Sequence, residues 1–233
     1  VHSHGQGLET TLAQIAYDEI GVDPKKVKVV HGDTAYTPYS TGTWGSRCIV
    51  MAGGAVGVAS AALGDRIKHI AAHLLQCARE DITLEDGMAH AGKSSVSIEE
   101  VAKTWYLKPQ QLPDDVDPRG LEVTEGYKTV QDTGTFSYAC HAVKVAVDIK
   151  SGNIELLDYV IVEDAGTMIN PMIVDGQVVG GTVQGIGTAL FEEMPFDYSG
   201  QPLASTLADY HLPVAGDIPP VRITHMETPS PLS

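Results

Sequence analysis

Asn170-Pro171 opens a stretch that reads as a helix to about Glu192, and that stretch carries glycine at positions 176, 180, 181, 185 and 187. Each glycine inside a helix costs roughly 1 kcal/mol relative to alanine. Asparagine is a good N-cap and proline fits the first helical position, so the helix start is well marked. A helix burdened in this way persists where another group must come very close to its backbone. Gln184 sits among the glycines, as a polar finger aimed at a ligand or as a buried, satisfied glutamine between close-packed helices; both readings stand on the residues alone.

The surrounding pattern is mixed. Leu8, Leu12, Ile15, Ala16 and Ile20 recur at helical spacing, and Gly21 stops the run. Residues 27–30 read as a short apolar strand before the turn-like His31-Gly32-Asp33-Thr34. A long helix is expected over about 49–77. Its first half is rich in glycine and alanine, which invites another backbone to pack close. Three short strands are expected at 82–84, 88–90 and 96–98, with Asp86-Gly87 as the hairpin turn. Ser97 is placed to cap a helix running through Tyr106. Val143, Val145 and Val147 alternate with other residues, Ser151-Gly152 turns the chain, and 154–162 returns, which predicts a β-hairpin over 139–162. Residues 108–119 hold Pro113, Pro118 and several acids and read as a linker. The expected organisation is one α+β lobe at 1–107, a linker at 108–119 and a second α+β lobe at 120–233, with mixed sheets and long packed helices.

The 233 residues include 30 acidic and 15 basic ones, for a net charge of −15. A nucleic-acid binder should carry a basic footprint, and Lys25, Lys26 and Lys28 form the densest run, so no nucleic-acid partner is expected. The acidity also argues against anionic membranes, and no apolar stretch reaches spanning length. Charged residues are only 19% of the chain, which suits a subunit with buried interfaces. The three cysteines, Cys48, Cys77 and Cys140, are too far apart for a cluster and fit a reduced, cytoplasmic setting. The chain starts at Val1 without a methionine and stops at Ser233 in a loop-like run, so it reads as a segment of a longer polypeptide.

Two loops precede helices and could hold an anion. Gly5-Gln6-Gly7 lets a ligand touch the backbone at a helix N-terminus. Thr43, Gly45, Ser46 and Arg47, within Thr41-Gly42-Thr43-Trp44-Gly45-Ser46-Arg47, offer hydroxyls, N–H groups and one guanidinium for a phosphate. Each could equally be an ordinary capped loop. The second lacks the lysine and spacing of a P-loop. Gly181-Thr182-Val183-Gln184-Gly185-Ile186-Gly187 superficially matches a dinucleotide fingerprint, but the spacing is wrong and no strand precedes it directly. His69 and His73, at i and i+4, have no third ligand in sight and read as a solvated helix face. No nucleophile elbow supports serine hydrolase chemistry.

Taken in order, these segments resemble the molybdenum-binding large subunit of the molybdenum hydroxylases, the family of xanthine dehydrogenase, aldehyde oxidase and the carbon monoxide dehydrogenase large subunit. The resemblance rests on Gly5-Gln6-Gly7-Leu8-Glu9-Thr10-Thr11, His31-Gly32-Asp33-Thr34 and Gly42-Thr43-Trp44-Gly45-Ser46-Arg47. It continues through Asp164-Ala165-Gly166, Ile169-Asn170-Pro171, Gly176-Gln177-Val178-Val179-Gly180-Gly181, Gln184-Gly185-Ile186-Gly187 and Glu227-Thr228-Pro229-Ser230-Pro231. It implies the α+β molybdopterin-binding fold and hydroxylation of an aldehyde, N-heterocycle or related small molecule, or oxidation of carbon monoxide, with oxygen from water. It implies a molybdenum–pterin cofactor, usually the cytosine dinucleotide form. FAD and iron–sulfur clusters would lie on other subunits or domains, in an oligomer with the rest of the molybdenum subunit. By resemblance, Gly5, Gln6 and Gly7 line the pterin and metal end, Thr43, Gly45, Ser46 and Arg47 surround the phosphates, and Gln184 reaches the dithiolene region.

The family's catalytic glutamate lies in a glycine-rich motif beyond the Thr-Pro-Ser-Pro segment, past Ser233, so no general base is assigned and no residue is named as a metal ligand. A placed base typically contributes about 10²–10⁴-fold, and the chain alone is therefore expected to bind no cofactor and turn over no aldehyde. The rival to a catalytic segment is a split or truncated subunit that supplies only part of the cofactor surface. A plain α+β binding module would leave the ordered run of motifs unexplained.

Overall fold

The computed structural model describes residues 1–131 and 135–231. It divides into two compact units, Val1–Thr135 with Pro231–Ser233, and Phe136–Ser230. Leu232 and Ser233, the last residues of the expected second lobe, lie outside the described residues.

The first unit is built on two helices, α1 (Leu8–Ile20) and α2 (Gly54–Leu75), the latter entered through a single π-helical turn at Ile49–Gly53. A small antiparallel sheet follows, β1 (Thr83–Glu85), β2 (Met88–Ala91) and β3 (Ser94–Ser97), and then α3 (Ile98–Leu107). Asp86 and Gly87 both take positive φ, as the expected tight hairpin requires. Ser97 Oγ accepts from the Glu100 N–H at 3.0 Å and caps α3. Ile67, Ile70 and Ala71 of α2, Ile82, Ala89 of β2 and Val101 of α3 form the core. The glycine-rich half of α2 is packed as expected. A Cβ on Gly54 would lie 2.6 Å from the Tyr127 ring, and one on Gly64 would lie 3.0 Å from the Glu19 carbonyl of α1.

The two-unit division falls at 135/136 and not at 108–119. That proline-bearing segment is part of the first unit. Leu112 and Val116 pack on the core. The Arg66 guanidinium donates to the carbonyls of Gly120 and Glu122 at 2.8 and 2.9 Å and pairs with Asp117 at 3.0 Å. His69 pairs with Asp115 at 3.3 Å and His73 bonds the Gln111 carbonyl at 2.8 Å, so these histidines strap the segment to α2. Residues 27–30, expected as a strand, join no ladder among the described residues.

The second unit has one mixed sheet in the order β4-β5-β6. β4 (Tyr138–Val147) and β5 (Ile154–Asp164) form the predicted hairpin, antiparallel, with a bulge at Lys144/Val145. β6 (Val221–Met226) runs parallel to β5, and α4 (Pro171–Leu190) makes the crossover between them. The fold is thus α+β with a mixed sheet and long helices.

Gly21 shows how tightly the first unit is closed. Its φ is +65°, and a Cβ there would sit 2.7 Å from the Glu85 backbone nitrogen. Gly152, in the β4–β5 turn, has φ +77° but open space around it. Gly152→Ala should cost about 1–2 kcal/mol, the left-handed conformation alone. Gly21→Ala should cost a further 1–3 kcal/mol or so from overpacking against backbone that cannot yield. Denaturant unfolding of the two variants checks the difference; equal losses would contradict it.

Candidate functional site

Three sequence-distant segments meet in the first unit. His2 donates its N–H to Thr43 Oγ1 at 2.9 Å, and Thr43 Oγ1 donates to the His2 carbonyl at 2.7 Å. Gly32 donates to the Val1 carbonyl at 3.1 Å, and a Cβ on Gly32 would lie 3.0 Å from His2 Cβ. The strand of chain leading into Gly5-Gln6-Gly7 is therefore sewn to both the 31–33 turn and the 40–47 loop. From the sequence His2 is equally open as a disordered or a functional residue; here its backbone makes the junction. Glu9 Oε1 accepts from His31 Nε2 across 2.6 Å, and this contact holds the Glu9 carboxyl below the usual carboxylate range.

The loops are shaped to leave backbone uncovered. Gly5 and Gly7 have φ +98° and +74°, and Gly45 and Ser46 have φ +60° and +55°. A Cβ on Gly5 or Gly45 would meet no atom within 4 Å. Gly7 is the N-cap of α1 and supplies no side chain to its orphan N–H groups, so an anion there finds unsatisfied donors. Gln6 Oε1 accepts from the His4 N–H at 2.5 Å, which leaves the amide nitrogen as its donor end. The Arg47 guanidinium lies 5.0 Å from the Trp44 ring centroid, and Trp44 Nε1 is fixed on the Thr41 carbonyl at 2.9 Å. Among the described residues no carboxylate pairs with Arg47. A guanidinium stacked on an indole and lacking an acid partner suits a phosphate.

The second unit organises Gln184. Asp164 is 2% exposed at the end of β5. It accepts from the Gly166 N–H at 2.9 Å, the Thr228 N–H at 3.1 Å and the Tyr138 hydroxyl at 3.0 Å. These bonds, with the Thr228 hydroxyl foremost, hold its carboxyl down at about 2. Glu227 accepts from the Met168 N–H at 3.0 Å, so the segments 164–168 and 227–228 are knitted together. Asn170 Oδ1 then caps α4 by accepting from Ile173 N–H at 3.1 Å. Gly176, Gly180 and Gln184 follow at helical spacing on one exposed stripe, and a Cβ on either glycine would meet nothing within 4 Å. Gln184 is exposed, so it is not the buried, satisfied glutamine of close-packed helices. Gly187 is different: it packs against Pro213, 3.1 Å from where its Cβ would lie.

His225 is a functional-looking residue that sequence reasoning missed. Its Nδ1 bonds Glu163 on β5 and its Nε2 bonds Asp175 on α4 at 2.8 Å, which ties the helix to the sheet. The available signal was the alternation of Val221, Ile223 and His225. The site residues thus fall into two groups: Gly5, Gln6, Gly7, Thr43, Gly45, Ser46 and Arg47 in the first unit, and Gln184 in the second. Among the described residues no group of three or more His, Cys, Asp or Glu side chains is disposed to hold a metal ion directly.

The molybdopterin cofactor-binding domain family matches residues 1–219 of this chain. The nicotine 6-hydroxylase large subunit of Paenarthrobacter nicotinovorans is 40% identical over 233 residues, covering 99% of this chain and 28% of that protein. The carbon monoxide dehydrogenase large chain of Hydrogenophaga pseudoflava is 34% identical over 229 residues, covering 98% and 28%. The crystal structure of quinoline 2-oxidoreductase from Pseudomonas putida 86 superposes with a TM-score of 0.85 at 40% identity, over 99% of this chain and 29% of that one. The chain therefore spans a little over a quarter of the length of the relatives it matches.

The His225 bridge has a definite pH signature. Glu163 first and Asp175 second raise the imidazole above its ordinary 6.5. A raised histidine contributes stability that is fully present below its unfolded value and is lost as pH rises through its folded one. The N-terminal turns of α4 should therefore exchange amide hydrogens faster as pH climbs above neutrality, after correction for intrinsic exchange. His225→Leu should abolish that trend. It should also lower stability at pH 6 by about 2 kcal/mol, because Glu163, 7% exposed, loses its partner. A pH trend unchanged in the variant would refute the assignment.

Proposed function

Because the chain belongs to the molybdopterin cofactor-binding domain family, we propose that it supplies part of the wall that holds a molybdenum–pterin cofactor in the large subunit of an oxidoreductase. The observation that carries this reading is the junction at His2 and Thr43, which gathers two uncovered glycine loops and the acid-free Arg47 in one unit. The donor set is made of backbone N–H groups, hydroxyls, an amide and a guanidinium. It fits a large anionic organic group and is poor in direct metal ligands.

In this reading Arg47, Ser46, Gly45 and Thr43 take the phosphates. The guanidinium binds bidentately, and the left-handed turn at 45–46 brings N–H groups against the same oxygens. Gly5, Gln6 and Gly7 line the pterin end, where the N-terminus of α1 stabilises negative charge. Gln184 hydrogen-bonds the dithiolene region, and the stripe at Gly176 and Gly180 keeps the helix surface low beside it. When bound, the group supplies a two-electron oxidation of substrate carbon with oxygen drawn from water. No residue of this chain is given the proton transfer.

The finer assignments are part of the same proposal. The cofactor is the cytosine dinucleotide form, and FAD and iron–sulfur clusters sit on partner subunits or domains. The substrate is an N-heterocycle, the class to which the substrates named for the two 40%-identical relatives belong. The three cysteines form no disulfide and suit a reducing, cytoplasmic setting.

The test uses the complete large subunit purified with its partners. Arg47→Ala removes a charge-assisted contact of about 1.5–3 kcal/mol and should lower bound pterin and molybdenum together by about tenfold or more. Gln184→Ala should lower them too, with thermal stability of the apoprotein unchanged. Full molybdenum and pterin content in both variants would overturn the proposal.

A further inference from the structure

We propose that Trp44 is a positioning residue for the anion site of the first unit: its indole holds the Arg47 guanidinium in one place and orientation before a phosphate arrives. The proposal rests on the reading of Arg47 as a phosphate contact. It adds a residue that acts on the ligand only through Arg47.

Burial does not account for Trp44, which is 57% exposed. Its contacts run along its own loop instead. The indole Nε1 donates to the Thr41 carbonyl at 2.9 Å, which keeps the ring from turning. The Trp44 carbonyl accepts from the Arg47 N–H at 3.4 Å and closes a four-residue turn. The central residues of that turn, Gly45 and Ser46, both have positive φ, the mirror-image form of the common turn. The turn leaves the Arg47 guanidinium over the Trp44 ring, 5.0 Å from its centroid. On the other side, the Met51 N–H donates to the Arg47 carbonyl at 3.0 Å, so the Arg47 backbone is tied to the π-helical entry of α2.

Ser46 shows that this arrangement is held at a cost. Among the described residues Ser46, Gln76 and Asp86 are the non-glycine residues with positive φ. Gln76 ends α2, and Asp86 shapes the hairpin between β1 and β2. Ser46 neither ends a helix nor joins two strands. A side chain kept in the left-handed region without such a duty points to a functional constraint. Here the duty is to bring the two ends of the turn, Trp44 and Arg47, within reach of each other.

The chemistry favours an indole for this task. A free arginine samples many rotamers, and a ligand that must freeze them loses affinity. A carboxylate would fix the guanidinium by its N–H edge, the edge that a phosphate needs. An indole fixes it by its face and leaves the N–H groups free for a bidentate contact. Among the described residues no carboxylate competes for that edge. Tryptophan is also the aromatic side chain that holds a cation best.

The experiment uses the complete large subunit with its partners, prepared without cofactor, and titrates it with inorganic pyrophosphate in a calorimeter. Trp44→Leu should weaken pyrophosphate binding by about threefold, the scale of an exposed cation–π contact. Trp44→Phe keeps a ring and should lose less. In an Arg47→Ala background, Trp44→Leu should cause no further loss, because the indole then has nothing to position. Bound pterin in preparations made with cofactor should follow the same order. Loss by the same factor in both backgrounds would mean a damaged loop and would overturn the proposal. So would equal losses in Trp44→Phe and Trp44→Leu, or wild-type affinity in Trp44→Leu. Failure of the underlying reading looks different: Arg47→Ala alone would leave pyrophosphate affinity unchanged, or the unaltered subunit would bind none, and either result would overturn both.

Discussion

Two strands and two loops of the second unit converge on one buried carboxylate. Asp164 accepts hydrogen bonds from β4 through Tyr138, from its own loop through Gly166 and from the segment after β6 through Thr228. A carboxylate out of contact with water is costly unless its lone pairs are filled, and here charge-assisted donors fill them. The consequence is geometric. The loop from Asp164 to Asn170 is fixed at both ends, Asn170 caps α4, and the helix starts in one place. Everything α4 carries, Gln184 included, inherits its position from that carboxylate and from the His225 bridge one turn further along.

Glycine has two distinct uses in this chain, and space around the missing Cβ separates them. At Gly21, Gly54, Gly64 and Gly187 a side chain would strike protein, so these glycines exist for internal packing. At Gly5, Gly45, Gly176, Gly180, Gly181 and Gly185 it would strike nothing. Glycine in an open helix position has only a cost unless something outside the described chain comes close. Of these six, Gly5 and Gly45 lie on the two loops read as cofactor-facing and the other four lie on α4.

Much of this was legible because it is local. The end of α1 at Gly21, the Asp86-Gly87 turn, the Ser97 cap and the β4–β5 hairpin each depend on residues within a few positions of one another. The linker expected at 108–119 followed from prolines and acids. Arg66, far away in sequence, turns those residues into a strap, and no local pattern announces that. β6 escaped notice because it is six residues long and is paired only through a crossover. Residues 27–30 had the composition of a strand but no neighbour to pair with among the described residues. At the site, the glycine loops were visible as motifs. The junction through His2 was not, because its bonds are made by the backbone and by a threonine hydroxyl 41 positions away.

The central claim is that Gly5-Gln6-Gly7 and the loop of Thr43, Gly45, Ser46 and Arg47, gathered in the first unit, serve one anionic cofactor. An experimental structure of the complete large subunit with its partners tests it most directly. The account predicts ordered ligand density that touches both the Gly5-Gln6-Gly7 backbone and the Arg47 guanidinium. Both loops ordered, with the cofactor bound away from them, would contradict it.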